Sequence, residues 1–220
     1  MPYNRPMSKI IGLVGLIGSG KGTAGDILKD CGFIQDAFAS GVKDACTAVF
    51  GWDRALLEGD TTESRAFREA IDPYWSKALG KPDFTPRIAL QWMGTEAGRN
   101  VFGTDLWVAA LIRRLDRDKN YVITDARFPN ELKAIKEAGG KNIWIQRGAL
   151  PGWYEDALKI NQTMVLSTKN NPFGTLDTLG LPHFSEWAWI GSPDIYTVIK
   201  NDGTIDQLRN ALATVLLTFK

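Results

Sequence analysis

A chain of 220 residues, 44% hydrophobic and 23% charged, is long enough for one well-packed domain with insertions and short for two. Its net charge of +1 provides no bulk field for duplex DNA or an anionic membrane, which argues against stable nucleic-acid binding. Cys31 and Cys46 make no disulfide framework, MPYNRPMSKI holds no apolar leader core, and no run approaches the roughly 18 apolar residues of a membrane span. These features read as a cytoplasmic protein.

In chain order, KIIGLV (9–14) is a buried parallel strand that runs into the glycine-rich GLIGSGKGT (15–23). TAGDILKDCG then reads as a helix stopped at Gly32, and FIQDAFA (33–39) as a second strand. VKDACTAVFG spaces Val42, Ala45, Cys46, Val49 and Phe50 along one helix face. Residues 51–86 are polar and broken by Gly and Pro around the helical segment TTESRAFREA; a long helical stretch with glycine interruptions follows over residues 87–118. YVIT (121–124) is the clearest strand and ends at Asp125; NELKAIKEAGG is a helix and NIWIQ the next strand. Residues 148–182, rich in Gly, Pro and Asn, show no sustained period and read as an insertion. DIYTVI, the turn KNDGT and an amphipathic helix from Ile205 to Phe219 close the chain. Strands alternating with helices predict a parallel, doubly wound α/β sheet. Most of the eight tryptophans are expected to serve packing.

A glycine-rich loop between a buried strand and a helix points several backbone N–H groups at one spot, at the positive end of the helix dipole. Gly15, Gly18 and Gly20 permit the close approach, and Lys21 is the long cation that reaches the β- and γ-phosphates of a nucleotide. Here Gly22 stands between the lysine and Thr23, the GKGT form that resembles the nucleoside monophosphate kinases, adenylate kinase among them. Asp125, at the end of its strand, is the expected companion for magnesium or its water shell, with Arg127 close behind as a phosphate fork and Glu131 in the next helical turn.

The order of GLIGSGKGT, FASGVKDA, LLEGDTTESRAFRE, LQWMGTEAGRNVFGTDLWV, VITDARFPNELKAIKEAGG, HFSEW and VIKNDGT resembles the deoxynucleoside monophosphate kinases of tailed bacteriophages. That resemblance implies a three-layer α/β phosphate-loop kinase fold, a parallel sheet of about five strands with helical insertions, and ATP with magnesium as cofactors. It implies one kinase domain over 1–220, with an acceptor-site insertion over about 51–118 and a lid over about 148–182. Gly18, Ser19, Gly20, Lys21, Gly22 and Thr23 match the ATP loop, and Thr23 and Asp125 the metal donors. Arg65, Arg68, Arg87, Gly94, Thr95, Trp107, Asp125, Arg127 and Glu131 match the acceptor site, with Lys21, Arg127 and Arg65 stabilising the moving phosphoryl group and Trp107 packing on the acceptor base. The family places His183 and Glu186 near the site without assigning their roles. The partners it implies are small nucleotides, within a host cytoplasm if the gene is a phage's, and a homodimer stays open. Two other readings share the loop: a kinase acting on a modified base within DNA, and a non-catalytic nucleotide-binding module.

Overall fold

The computed structural model describes residues 9–165, 181–182 and 184–219. The chain divides into two compact units, one formed by Met1–Ala37 with Leu115–Lys220 and the other by Phe38–Arg114.

The first unit is built on strands β1 (Ile10–Val14), β2 (Ile34–Asp36), β3 (Tyr121–Ile123), β4 (Lys141–Gln146) and β5 (Ile195–Lys200). They form one sheet in the order β2-β3-β1-β4-β5, and every pairing is parallel. β1 is central and buried along its whole length, as its continuous apolar sequence requires. The strand leading to Asp125 lies directly beside it. Ile11 and Leu13 of β1 and Ile143 and Ile145 of β4 pack in one cluster with Ala24, Ile27 and Leu28 of α1 (Lys21–Asp30) and Leu208, Leu212 and Val215 of α10 (Ile205–Leu216). On the opposite face, Gly12 leaves room for α8 (Pro129–Glu137): a Cβ at Gly12 would stand 2.7 Å from Ile135 Cδ1. Helices, sheet and helices make three layers. The FIQDAFA strand shrinks to three paired residues at the sheet edge, because Phe33 turns into the core and β2 pairs only with β3.

Residues 154–165 form helix α9 (Tyr154–Val165), which the sequence reading missed. Tyr154 and Ala157 are buried at helical spacing, a signal masked by the Gly and Pro residues just before it. Most of the remainder of the expected lid segment, residues 166–180, and His183 lie outside the described residues.

The second unit comprises α2 (Ser40–Phe50), α3 (Thr62–Glu69), α4 (Pro73–Leu79), α5 (Pro86–Trp92), a π-helical turn (Met93–Arg99), α6 (Asn100–Phe102) and α7 (Leu106–Arg114). Three of its helices, α3, α4 and α5, start on side-chain caps: Thr61 Oγ1 accepts from Ser64 N, Asp72 from Trp75 N and Thr85 Oγ1 from Ile88 N. Cys46, Trp52, Leu57, Phe84 and Ala89 form its core, and Phe50 stacks on Trp52 at 4.5 Å. The helical stretch expected over 87–118 is interrupted by the π-helical turn, which contains Gly94 and Gly98, and at Gly103, whose φ of 105° ends a right-handed helix.

Candidate active site

The phosphate loop leaves β1 at Gly15 and enters α1 at Lys21. Gly18 and Gly20 hold φ of 78° and 97°, angles that side-chain-bearing residues avoid. A Cβ at Gly20 would stand 2.2 Å from Asn201 Nδ2, so a side chain is excluded there twice over. Asn201 Nδ2 donates to the Ser19 carbonyl at 2.9 Å, and its backbone N–H donates to Gln146 O at 2.7 Å. The KNDG turn therefore braces the loop through its side chain, a function the sequence reading did not assign. At the N-terminus of α1 no side chain caps the helix and no acidic residue occupies the first turn. Its N–H groups and dipole are left to an anion.

Lys21 Nζ donates to the carbonyls of Gly15 and Leu16 at 2.5 and 3.0 Å. Burial first, and then the charge of Arg127, lower its pKa to about 8 against the opposing carboxylate of Glu186. Lys21, Arg127 and Glu186 thus share one electrostatic neighbourhood. Arg127 Nη1 donates to Glu186 Oε1 at 2.7 Å, with the two side chains 46% and 24% exposed. A pair this open to water is worth about 1 kcal/mol or less, so the multiply charged oxygens of a phosphate outcompete the carboxylate. Glu186 was named in the sequence only by its place in HFSEW; its pairing with Arg127 is a product of the fold.

Asp125 is half-buried just beyond β3, and Thr23 is exposed in the first turn of α1. These two oxygen donors suit magnesium, which keeps most of its coordination for water and phosphate. No group of three His, Cys, Asp or Glu side chains that would cage a metal occurs among the described residues. Glu131, expected at the acceptor site, has a structural task. It is 2% exposed, and its Oε2 accepts from the backbone N–H groups of Arg127 at 2.8 Å and Phe128 at 3.1 Å. It caps α8 and sets the backbone from which the Arg127 side chain springs.

The remaining expected acceptor residues belong to the second unit. Arg65 donates through Nε to Gly59 O at 3.1 Å and through Nη2 to Asp60 O at 2.8 Å. Arg68 reaches Glu58 O at 3.4 Å, under Gly59. Arg87 pairs with Glu69. Gly94 and Thr95 lie in the π-helical turn, where the Thr95 carbonyl accepts from Asn100 N. Trp107 is the residue expected to pack on the acceptor base. Its ring is 8% exposed, its Nε1 donates to Gly94 O at 2.8 Å, and a Cβ at Gly98 would stand 2.7 Å from the ring. With its face against glycines and its N–H satisfied, the indole is a packing residue of this unit.

No protein-family model matches the chain. It is 33% identical to an Acanthamoeba polyphaga mimivirus protein named "Putative deoxynucleotide monophosphate kinase", in an alignment of 176 positions that covers 73% of this chain and 84% of the viral one. Among solved structures, dephospho-CoA kinase from Campylobacter jejuni superposes with a TM-score of 0.44 at 16% identity, covering 96% of this chain and 98% of that one. Shikimate kinase from Aquifex aeolicus gives 0.40 at 13% identity, covering 94% and 96%. These superpositions are loose, and the fold stands on its own sheet order and loop. By its identity to the mimivirus protein, the chain belongs to that protein's family, and it is a phosphate-loop kinase.

Proposed function

We propose that this enzyme transfers the γ-phosphoryl group of ATP to a deoxynucleoside monophosphate, giving ADP and the deoxynucleoside diphosphate, as the tailed-phage enzymes it resembles do. The observation that carries the reading is the convergence of Lys21 and Arg127 on one electrostatic site beside an uncapped α1, in a chain whose mimivirus relative bears that activity in its name.

The loop N–H groups and the first turn of α1 receive the phosphates of ATP. Lys21 exchanges its two loop carbonyls for phosphate oxygens, and Arg127 exchanges Glu186 for the phosphoryl group in transit. An oxygen of the acceptor phosphate attacks the γ-phosphorus as the bond to the β,γ-bridging oxygen breaks. This loose transition state needs positioned positive charge more than a proton-transferring base. Asp125 and Thr23 are the residues that would hold magnesium, which supplies neutralisation of the β- and γ-phosphate charge. We assign Arg65, Arg68, Arg87, Gly94 and Thr95 to the acceptor on the resemblance of their segments to the phage kinases. Arg65 is the side chain that would follow the moving group.

The test is ADP release in a coupled assay over the four standard deoxynucleoside monophosphates, beside labelled ATP with single-stranded DNA, plain and hydroxymethylated. Turnover with at least one monophosphate and no label in DNA is the expected result. Label entering DNA faster than monophosphates turn over would replace this reading with a polymer kinase. ATP binding without turnover of any acceptor would leave only a binding module.

A further inference from the structure

Beside the phosphate loop, and wholly within the first unit, lies a cavity of about 470 Å³. That volume falls in the range of small-molecule sites. Its wall begins with Leu16 to Ser19 of the loop itself, continues along the end of β4, and includes Leu150, Trp153 and Glu186. Side chains alternate along β4: Ile143 and Ile145 enter the core cluster, which leaves Trp144 and Gln146 on the other face, and both line the cavity. Trp144 is fixed in place, stacked on Tyr154 at 5.8 Å and 12° and edge-on to Trp189 at 5.2 Å.

Gln146, 8% exposed, lines the cavity with a carboxamide-bearing side chain. The Trp144 indole N–H is buried with no hydrogen-bond partner among the described residues. An unsatisfied buried N–H costs about 1–3 kcal/mol, which a ligand that bonds to it would recover. The ligand must be flat, to use tryptophan walls, and must carry a donor beside an acceptor on one edge, to use a carboxamide. It must also be joined to phosphate, because the wall is continuous with the loop. A nucleobase meets all three conditions, and a carboxamide reads adjacent donor and acceptor atoms of a base edge in pairs.

We propose that this cavity is a nucleobase subsite, walled by Trp144 and Trp153 and read by the Gln146 carboxamide. The proposal rests on the nucleotide-kinase reading above and adds the location and chemistry of base recognition. The base belongs either to the triphosphate donor or to the monophosphate acceptor, and the experiment separates the two.

Calorimetric titration of the full-length protein with ATP, with each deoxynucleoside monophosphate and with inorganic tripolyphosphate is compared for wild type, Gln146→Leu and Trp153→Ala, with folding checked by circular dichroism. Gln146→Leu is expected to weaken one nucleotide series about tenfold, unequally among bases, and to leave tripolyphosphate unchanged. Trp153→Ala should weaken the same series for all its bases. A loss confined to ATP assigns the donor base, and a loss confined to monophosphates assigns the acceptor base. Unchanged nucleotide affinities in both variants would overturn the proposal, as would an equal loss for tripolyphosphate, which reports a disturbed loop. If the wild type phosphorylates monophosphates while neither variant shifts base-dependent binding, the subsite fails and the kinase stands. Base-dependent losses without any turnover would do the reverse.

Discussion

Lys21 sits where burial and the positive charge of Arg127 both work against its own charge, relieved in part by Glu186. Its proton is therefore lost from the free enzyme as pH rises through about 8, well below the ordinary lysine value of 10.5. Phosphate favours the charged amine, so nucleotide binding takes up a proton above that pH, and affinity for ATP should fall as pH climbs past 8. Titrations on either side of pH 8 check the sign, and Lys21→Arg should flatten the profile because a guanidinium keeps its charge. Lys21→Met should keep the circular dichroism of the wild type and lose about 100- to 1000-fold in turnover, the usual effect of deleting one preorganised charge. A mutant that retains a third of the wild-type rate would remove Lys21 from the mechanism. In the proposed mechanism Arg127 bears on phosphate and not on a base. Arg127→Ala should lower kcat/KM by one similar factor for every accepted monophosphate, and Arg127→Lys should restore little, since an ammonium lacks the planar fork. A kinetic panel across the four monophosphates decides it. If Arg127→Ala reorders the bases, the residue reads the base.

At the scale of elements, β1 and α1 form the phosphate site, and α8 and β4 supply its neighbours. The Glu131 carboxylate at the start of α8 satisfies two backbone donors of the segment that carries Arg127. Glu131→Ala should cost about 1–2 kcal/mol in urea unfolding, the price of a buried cap, and should lower kcat by misplacing Arg127. A variant as stable as wild type would deny the capping role. The π-helical turn in the second unit has a comparable local cause. Seating the Trp107 indole against Gly98 and bonding its N–H to Gly94 O draws the backbone carbonyl away from regular helical pairing. The tryptophan expected on a base is thus bonded to the turn that holds Thr95.

For the whole molecule, the two units contain separate cores, one an aliphatic sheet sandwich and the other an aromatic cluster. The phosphate loop belongs to the first, so ATP that binds only the folded loop stabilises that unit by mass action. At 100 times its dissociation constant the gain is about 2.7 kcal/mol, visible as a raised Tm in scanning calorimetry. Lys21→Met should lose most of that shift. An equal ATP-induced shift in the mutant would place the nucleotide elsewhere.

The sequence by itself determined the phosphate loop, the strand and helix around it, and the parallel class of the sheet. Each of these is written in short-range pattern: glycines at the angles only they tolerate, a continuous apolar strand, and strands alternating with helices. Asp125 and Arg127 were singled out as candidates for the same reason, since both stand within a few residues of the clearest strand. Tertiary structure decided which side chains meet. Glu186 reaches Arg127 across 59 positions and Asn201 reaches Ser19 across 182, and no local periodicity encodes such distances. The fates of Trp107 and Glu131 were decided the same way. An indole can stack on a base or fill a core, and a carboxylate can bind a substrate or cap a helix. The choice was made by glycines at positions 41 and 98 and by backbone N–H groups left unbonded at a helix start, which exist as surroundings only once the chain has folded.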